Sequence, residues 1–167
     1  MGKILGNASK PYGRRTWRGH QFDNRTVSAL KWAEAKYRAV APKKRAPWRI
    51  GQGSYSNGSL SAGTHSGGGA VDIMFAGLNA KQQRATVKWL RKAGFAAWAR
   101  TGPGWVGNEH AHAILRGHRN AHPAAKAQMI AYDNRRDGLA GNLADSTWRP
   151  KVKRRWSHRK NKPILGK

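Results

Sequence analysis

Hydrophobic positions follow two rhythms along this chain of 167 residues. From Asn24 onward, Val27, Leu30, Ala33, Tyr37 and Val40 recur at steps of three and four, the spacing of one helical face. Asn24 is the expected N-cap, and Pro42 is the expected stop. A basic turn over 43–47 leads to a short strand at Trp48–Ile50, which runs into a Gly/Ser stretch ending at Gly69. The period then changes to two. Val71, Ile73 and Phe75 alternate with Ala70, Asp72 and Met74, which predicts a strand. A second helix is expected after Asn79, with Gln82 at the capping-box position, Val87 and Leu90 on one face and Gly94 as its end. Residues 95–100 and 109–115 read as strands joined through a turn at 101–104. His122–Pro123 opens a third helix with Pro at its first position, and Gly138 lies past its end.

The order helix, strand, strand, helix, strand, strand, helix predicts an α+β fold, a small antiparallel sheet flanked by about three helices. The polar, basic residues 1–23 read as an irregular N-terminal arm and residues 24–147 as the domain. Residues 148–167, with nine Lys/Arg and no acid, read as a disordered or weakly ordered basic tail.

Composition narrows the chemistry. The absence of cysteine excludes disulfides, zinc ribbons and thiol nucleophiles. No apolar run approaches the ~20 residues of a membrane helix, so no membrane insertion is expected. The first fifteen residues hold no apolar segment of signal-peptide length. Lys and Arg number 33 against seven Asp and Glu, a net charge of +26. A surface of this charge attracts polyanions: nucleic acid, anionic lipid or bacterial wall polymers. In the tail, Trp148 and Trp156 interleave with basic residues, a pattern able to stack on bases and pair with phosphates. The acids are Asp23, Glu34, Asp72, Glu109, Asp133, Asp137 and Asp145, few enough that each calls for a role.

Two segments stand out, Thr64–Asp72 and Glu109–His112. A catalytic zinc site uses three N/O ligands and one open position, and His65, Asp72 and His112 supply two imidazoles and one carboxylate. Asp72 sits mid-strand among apolar residues, where a carboxylate is costly to bury unless paired or bound to a metal. His110 and His112 lie two apart on a strand and so share a face. Strand parity puts Glu109 on the other face, unless a bulge or twist at the strand start brings it round.

The pattern His65-x2-Gly68-x-Ala70-x-Asp72, followed by Glu109-His110-x-His112, resembles the zinc D-Ala-D-Ala carboxypeptidase and hedgehog-type peptidase family, which includes bacterial carboxypeptidases and phage endolysins. The resemblance runs from about Trp48 to Leu115, more loosely to Gly141, and leaves the N-terminal arm and basic tail uncovered. It implies a hedgehog-like fold with Zn2+ held by His65, Asp72 and His112. Glu109 then matches the acid that activates water and hands the proton to the leaving amine, and His110 matches a histidine present in some members. Two departures stand out. Gly63 replaces a Ser common two positions before the first His, and Gln52-Gly53-Ser54-Tyr55 lacks an Arg that many members place there. Gln52, Ser54 or Tyr55 is expected to take over the substrate contact, or Arg49 or Arg100 to reach in.

The function expected is zinc-dependent hydrolysis of peptidoglycan stem peptides or cross-links, as a carboxypeptidase or endopeptidase. Such an enzyme fits a phage lysin held in the host cytoplasm before lysis, or a virion-associated wall hydrolase. The alternatives are a basic nucleic-acid-binding or virion structural protein, and a non-catalytic zinc-binding module of the same fold.

Overall fold

The computed structural model describes residues 10–39, 45–57 and 62–166. Its centre is a four-stranded antiparallel sheet of β3 (Ile50–Gln52), β4 (Ala70–Met74), β5 (Phe95–Arg100) and β6 (His110–Leu115), in the order β3-β4-β6-β5. Three helices accompany it: α1 (Asn24–Arg38), α2 (Ala80–Ala93) and α3 (Pro123–Asp133). The α+β class with a small antiparallel sheet is therefore observed.

Alternation along the strands divides the sheet into two unlike faces. Val71, Ile73, Phe95, Ala97, Ala111 and Ala113 point to the face covered by α1 and α2, and are buried there with Leu30, Tyr37 and Leu90. The intervening residues face α3. Their rows run across the sheet in register: Ala70, Ile114 and Ala96 first, then Asp72, His112 and Trp98, then Met74, His110 and Arg100. The first row is closed by Ala125 and Tyr132. Polar groups therefore begin one row along, where the α3 side of the sheet opens.

Local signals act as expected around α2. Asn79 and Gln82 form the reciprocal capping box, and Gly94 ends the helix in the left-handed conformation at φ 103°. A Cβ at Gly94 would also lie 2.9 Å from Arg155 Cα, so the position serves both turn and packing. The strands at 70–75 and 95–100 and the third helix behind Pro123 fall where the patterns place them. The first strand instead starts at Ile50, because Trp48 turns into the core and donates its backbone N–H to Glu34 Oε1 at 2.6 Å.

Three expectations are corrected. The N-cap of α1 is Asp23, whose Oδ1 accepts from Thr26 N–H at 2.8 Å, while Asn24 is already helical and donates its amide to Lys10 O. The N-terminal segment is not irregular throughout. Residues Arg14–Trp17 (β1) and His20–Asp23 (β2) form a hairpin closed by Arg18 and Gly19, both at positive φ, the requirement of a tight two-residue turn. Residues 1–9 lie outside the described part, as do Val40, Pro42 and the start of the 43–47 turn.

The basic tail likewise carries a hairpin, β7 (Arg154–Ser157) with β8 (Lys162–Leu165). Trp156 is 2% exposed and packs edge-on to Trp32 within the α1–α2 core, so it has no face to offer a base. The segment between α3 and β7 is tied down by Arg91. Its guanidinium donates to Ala97 O at 2.8 and 2.6 Å, to Thr147 Oγ1, to Trp148 O and to Asp145 Oδ2.

Candidate metal centre

Three of the expected residues meet. His65 arrives from the loop ahead of β4, Asp72 from β4 and His112 from β6, the last two directly opposite in register. His65 Nε2 lies 3.2 Å from Asp72 Oδ1, His112 Nδ1 lies 2.8 Å from the same oxygen, and the two nitrogens are 3.3 Å apart. An ion bound tetrahedrally at about 2.05 Å holds its donor atoms roughly 3.3 Å from one another, so the spacing fits.

The outer hydrogen bonds decide which ring nitrogens are bare. His65 Nδ1 faces Gly53 O at 2.8 Å, and a carbonyl only accepts, so this nitrogen carries the proton and Nε2 presents its lone pair inward. His112 Nε2 faces Gln128 Oε1 at 2.8 Å. The Gln128 amide cannot be turned round, because its nitrogen donates to Gly138 O at 3.0 Å. His112 therefore carries its proton on Nε2 and turns a bare Nδ1 to Asp72. Burial lowers the His112 pKa, against the pull of Asp72. With a proton on each outer nitrogen, both neutral rings turn a lone pair toward the Asp72 carboxylate. The three ligand atoms lie within 4.8 Å of one another, and two imidazoles with one carboxylate are a donor set that suits a divalent metal ion.

The glycines of the loop have a packing role. Gly68 N–H donates to Asn120 O at 2.8 Å, and a Cβ on Gly67 would stand 2.4 Å from the same oxygen. On Gly68 it would stand 2.3 Å from His118 Cε1. Only a bare backbone passes here, and this close passage fixes the loop that delivers His65.

The centre opens into a cleft of about 630 Å³ between β3, β6, the turn at Pro103–Trp105 and α3. His110 is 5% exposed, and its Nε2 lies 3.7 Å from Asp72 Oδ1. Its Nδ1 donates to Asn108 O at 2.7 Å, so Nε2 is the basic nitrogen. Arg100 lines the same cleft at 4% exposure, stacks on Trp98 and buries one terminal nitrogen with no hydrogen-bond partner among the described residues. Arg49 and Gln52 also line it, and Gln52 donates to Ser56 Oγ at 3.2 Å.

Glu109, Ser54 and Tyr55 are not among the lining residues. The β4–β6 ladder continues without a bulge through Glu109, whose carbonyl accepts from Phe75 N–H at 2.9 Å, so parity keeps its side chain off the His110 face. Ser54 is fully buried and donates to Ala70 O at 2.8 Å. Tyr55 takes a positive φ of 57°, which turns its hydroxyl away to Asp23 Oδ2 at 3.3 Å. Gln128 carried no signal in the sequence, since a lone glutamine on a helix looks like any exposed polar position. Searches against family models, curated proteins and solved structures return no match.

Proposed function

We propose that this chain is a zinc metallopeptidase acting on peptide bonds of bacterial peptidoglycan, with His65, Asp72 and His112 as metal ligands. One observation carries the reading: two imidazoles whose outer nitrogens are bonded to Gly53 O and Gln128 Oε1 converge with one carboxylate on a single point beside an open cleft. The chemistry a divalent ion supplies in such a three-donor site is Lewis-acid polarisation of a carbonyl and acidification of water. The resemblance of the two motifs to the D-Ala-D-Ala peptidase family supports peptidoglycan stem peptides as the substrate class, and the +26 charge suits an anionic wall.

The chain's own residues supply the rest. His110 Nε2 takes a proton from the attacking water and returns it to the departing amine nitrogen as the C–N bond breaks, consuming one water per bond cut. This reading moves the acid–base role from Glu109 to His110. Arg100, buried and unsatisfied on the cleft wall, faces the negative charge that develops on the carbonyl oxygen. It replaces the Arg missing upstream, from a different strand.

The test is zinc content and clearing of purified peptidoglycan, measured in parallel on wild type, His110→Ala and Glu109→Ala. Zinc in all three with clearing lost only in His110→Ala supports the assignment. Clearing lost only in Glu109→Ala returns the role to the carboxylate. Zinc without clearing in any of them overturns the enzyme and leaves a zinc-binding module.

A further inference from the structure

On the opposite side of the sheet from the cleft, the chain builds a second concave surface. A groove of about 370 Å³ lies between α1, α2 and the segment leading into β7. Its walls are the indoles of Trp32, Trp89 and Trp148, and its cations are Lys92, Lys151 and Arg154. Trp32 and Trp89 meet edge to face at 6.2 Å, so their rings stand at an angle instead of closing on each other. Trp148 is 50% exposed. Lys92 Nζ lies 4.6 Å over the Trp89 ring, and Lys88 Nζ 5.7 Å over that of Trp148.

The groove does not end there. Pro150, Lys151, Val152 and Arg154 also wall a basic pocket of about 150 Å³ on the other side of the same segment. In that pocket Arg91 and Arg149 are matched by Asp145, and Arg116 and Lys153 by Asp133. Arg135, Lys151 and Arg154 make no ion pair among the described residues, nor does Lys92 in the groove. The strip as a whole offers indole faces at one end and unneutralised cations along its length.

We infer that this strip binds single-stranded nucleic acid. The partner must bring rings and negative charge together at short intervals. A wall glycan has saturated rings with no flat π face and at most a carboxylate on every second sugar, and a polyol phosphate has charge without rings. A single nucleic-acid strand carries a flat ring and a phosphate on every unit, whereas a duplex keeps its bases stacked inside and away from the indoles. The site is separate from the metal centre and does not rest on the peptidase reading.

The measurement is fluorescence anisotropy of a fluorescein-labelled oligothymidine with the full chain. The comparison covers wild type, Trp148→Ala and the double variant Lys151→Ala/Arg154→Ala, at low and near-physiological salt. Trp148 and Lys151 are exposed, so these changes spare the core. Trp148→Ala should weaken binding about tenfold at the higher salt, where stacking carries more of the affinity. The double variant should weaken it most at low salt and flatten the salt dependence. A chelator should change neither. Equal binding by Trp148→Ala and wild type, or displacement by polyphosphate as effective as by unlabelled oligothymidine, reduces the strip to a charge sink and overturns the proposal. So does displacement by purified glycan strands that exceeds displacement by oligothymidine, or loss of binding with chelator.

Discussion

Two buried histidine–aspartate clusters lie on either side of the glycine loop, and only one of them has the makings of a site. In the first, His118 Nε2 donates to Asp23 Oδ2 at 2.8 Å, with both side chains at zero exposure. His118 Nδ1 accepts from Asn120 N–H, and Asp23 takes further bonds from Thr26 N–H, Thr26 Oγ1 and the Tyr55 hydroxyl. Every acceptor there faces a donor, so the cluster is complete. In the second, around Asp72, the outer bonds to Gly53 O and Gln128 use up the ring protons, and three acceptors are left facing inward. Each is built on a His–Asp contact of 2.8 Å. What separates them is where the protons sit, and that is set by groups one bond further out.

The largest contrast comes from deleting one histidine of each cluster. His65→Ala should abolish stoichiometric zinc and reduce peptidoglycan clearing to background. His118→Ala should retain zinc and lose about 3 kcal/mol of stability, since it leaves a buried carboxylate unpaired. Elemental analysis and urea unfolding on the two variants read this directly, and loss of zinc from His118→Ala alone would reverse the roles.

Next in size is the acid–base group. His110→Ala should slow clearing by roughly 10²–10⁴-fold with zinc retained, while Glu109→Ala changes it little. Gln128→Ala should weaken zinc affinity by about 10–100-fold without unfolding the chain, because His112 is then free to move its proton to Nδ1. A competition titration with a chromophoric chelator measures it, and an unchanged affinity would show that Gln128 does not fix the tautomer.

The smallest effect concerns the closed cluster. Burial acts to raise the Asp23 pKa, but the hydrogen bonds from His118 and Thr26 outweigh it and hold the carboxyl below its ordinary value. The folded state therefore binds that proton less readily than the unfolded chain. The contribution is present above the ordinary carboxylate range and is lost as pH falls through it. Asp23→Asn keeps the helix cap, since Asn caps as well as Asp, but it removes the charge and sets an amide donor where Oδ2 accepts from His118. Its urea midpoint should lie below that of wild type near neutral pH and converge with it on acidification. Parallel curves would place the acid sensitivity elsewhere.

Much of this centre was legible before any coordinates. Alternation over 70–75 and 110–115 puts Asp72, His110 and His112 on one face, because a pleat leaves no other choice. The same parity sets Glu109 on the other face, and the unbulged ladder leaves it there, whereas the expected bulge or twist would have brought it into the cleft. The parts that were not legible depend on distant or reversed chain. Gln128 reaches His112 from a helix sixteen residues on. Tyr55 is adjacent to the cleft in sequence, yet a left-handed backbone turns it into the other cluster. The two hairpins escaped because four-residue strands, three of them with a single apolar residue, show no alternation until a core exists for Phe22 and Trp156 to enter.

The position of Trp156 sets the order in which the molecule can be finished. It fills the α1–α2 core from the β7–β8 hairpin, so on the ribosome that core waits for residues made after all three candidate metal ligands have emerged. At the usual pace of synthesis the interval lasts a few seconds. During it, His65, Asp72 and His112 are all present on a chain whose hydrophobic interior is still open, and the final hydrophobic closure falls to a segment dense in positive charge.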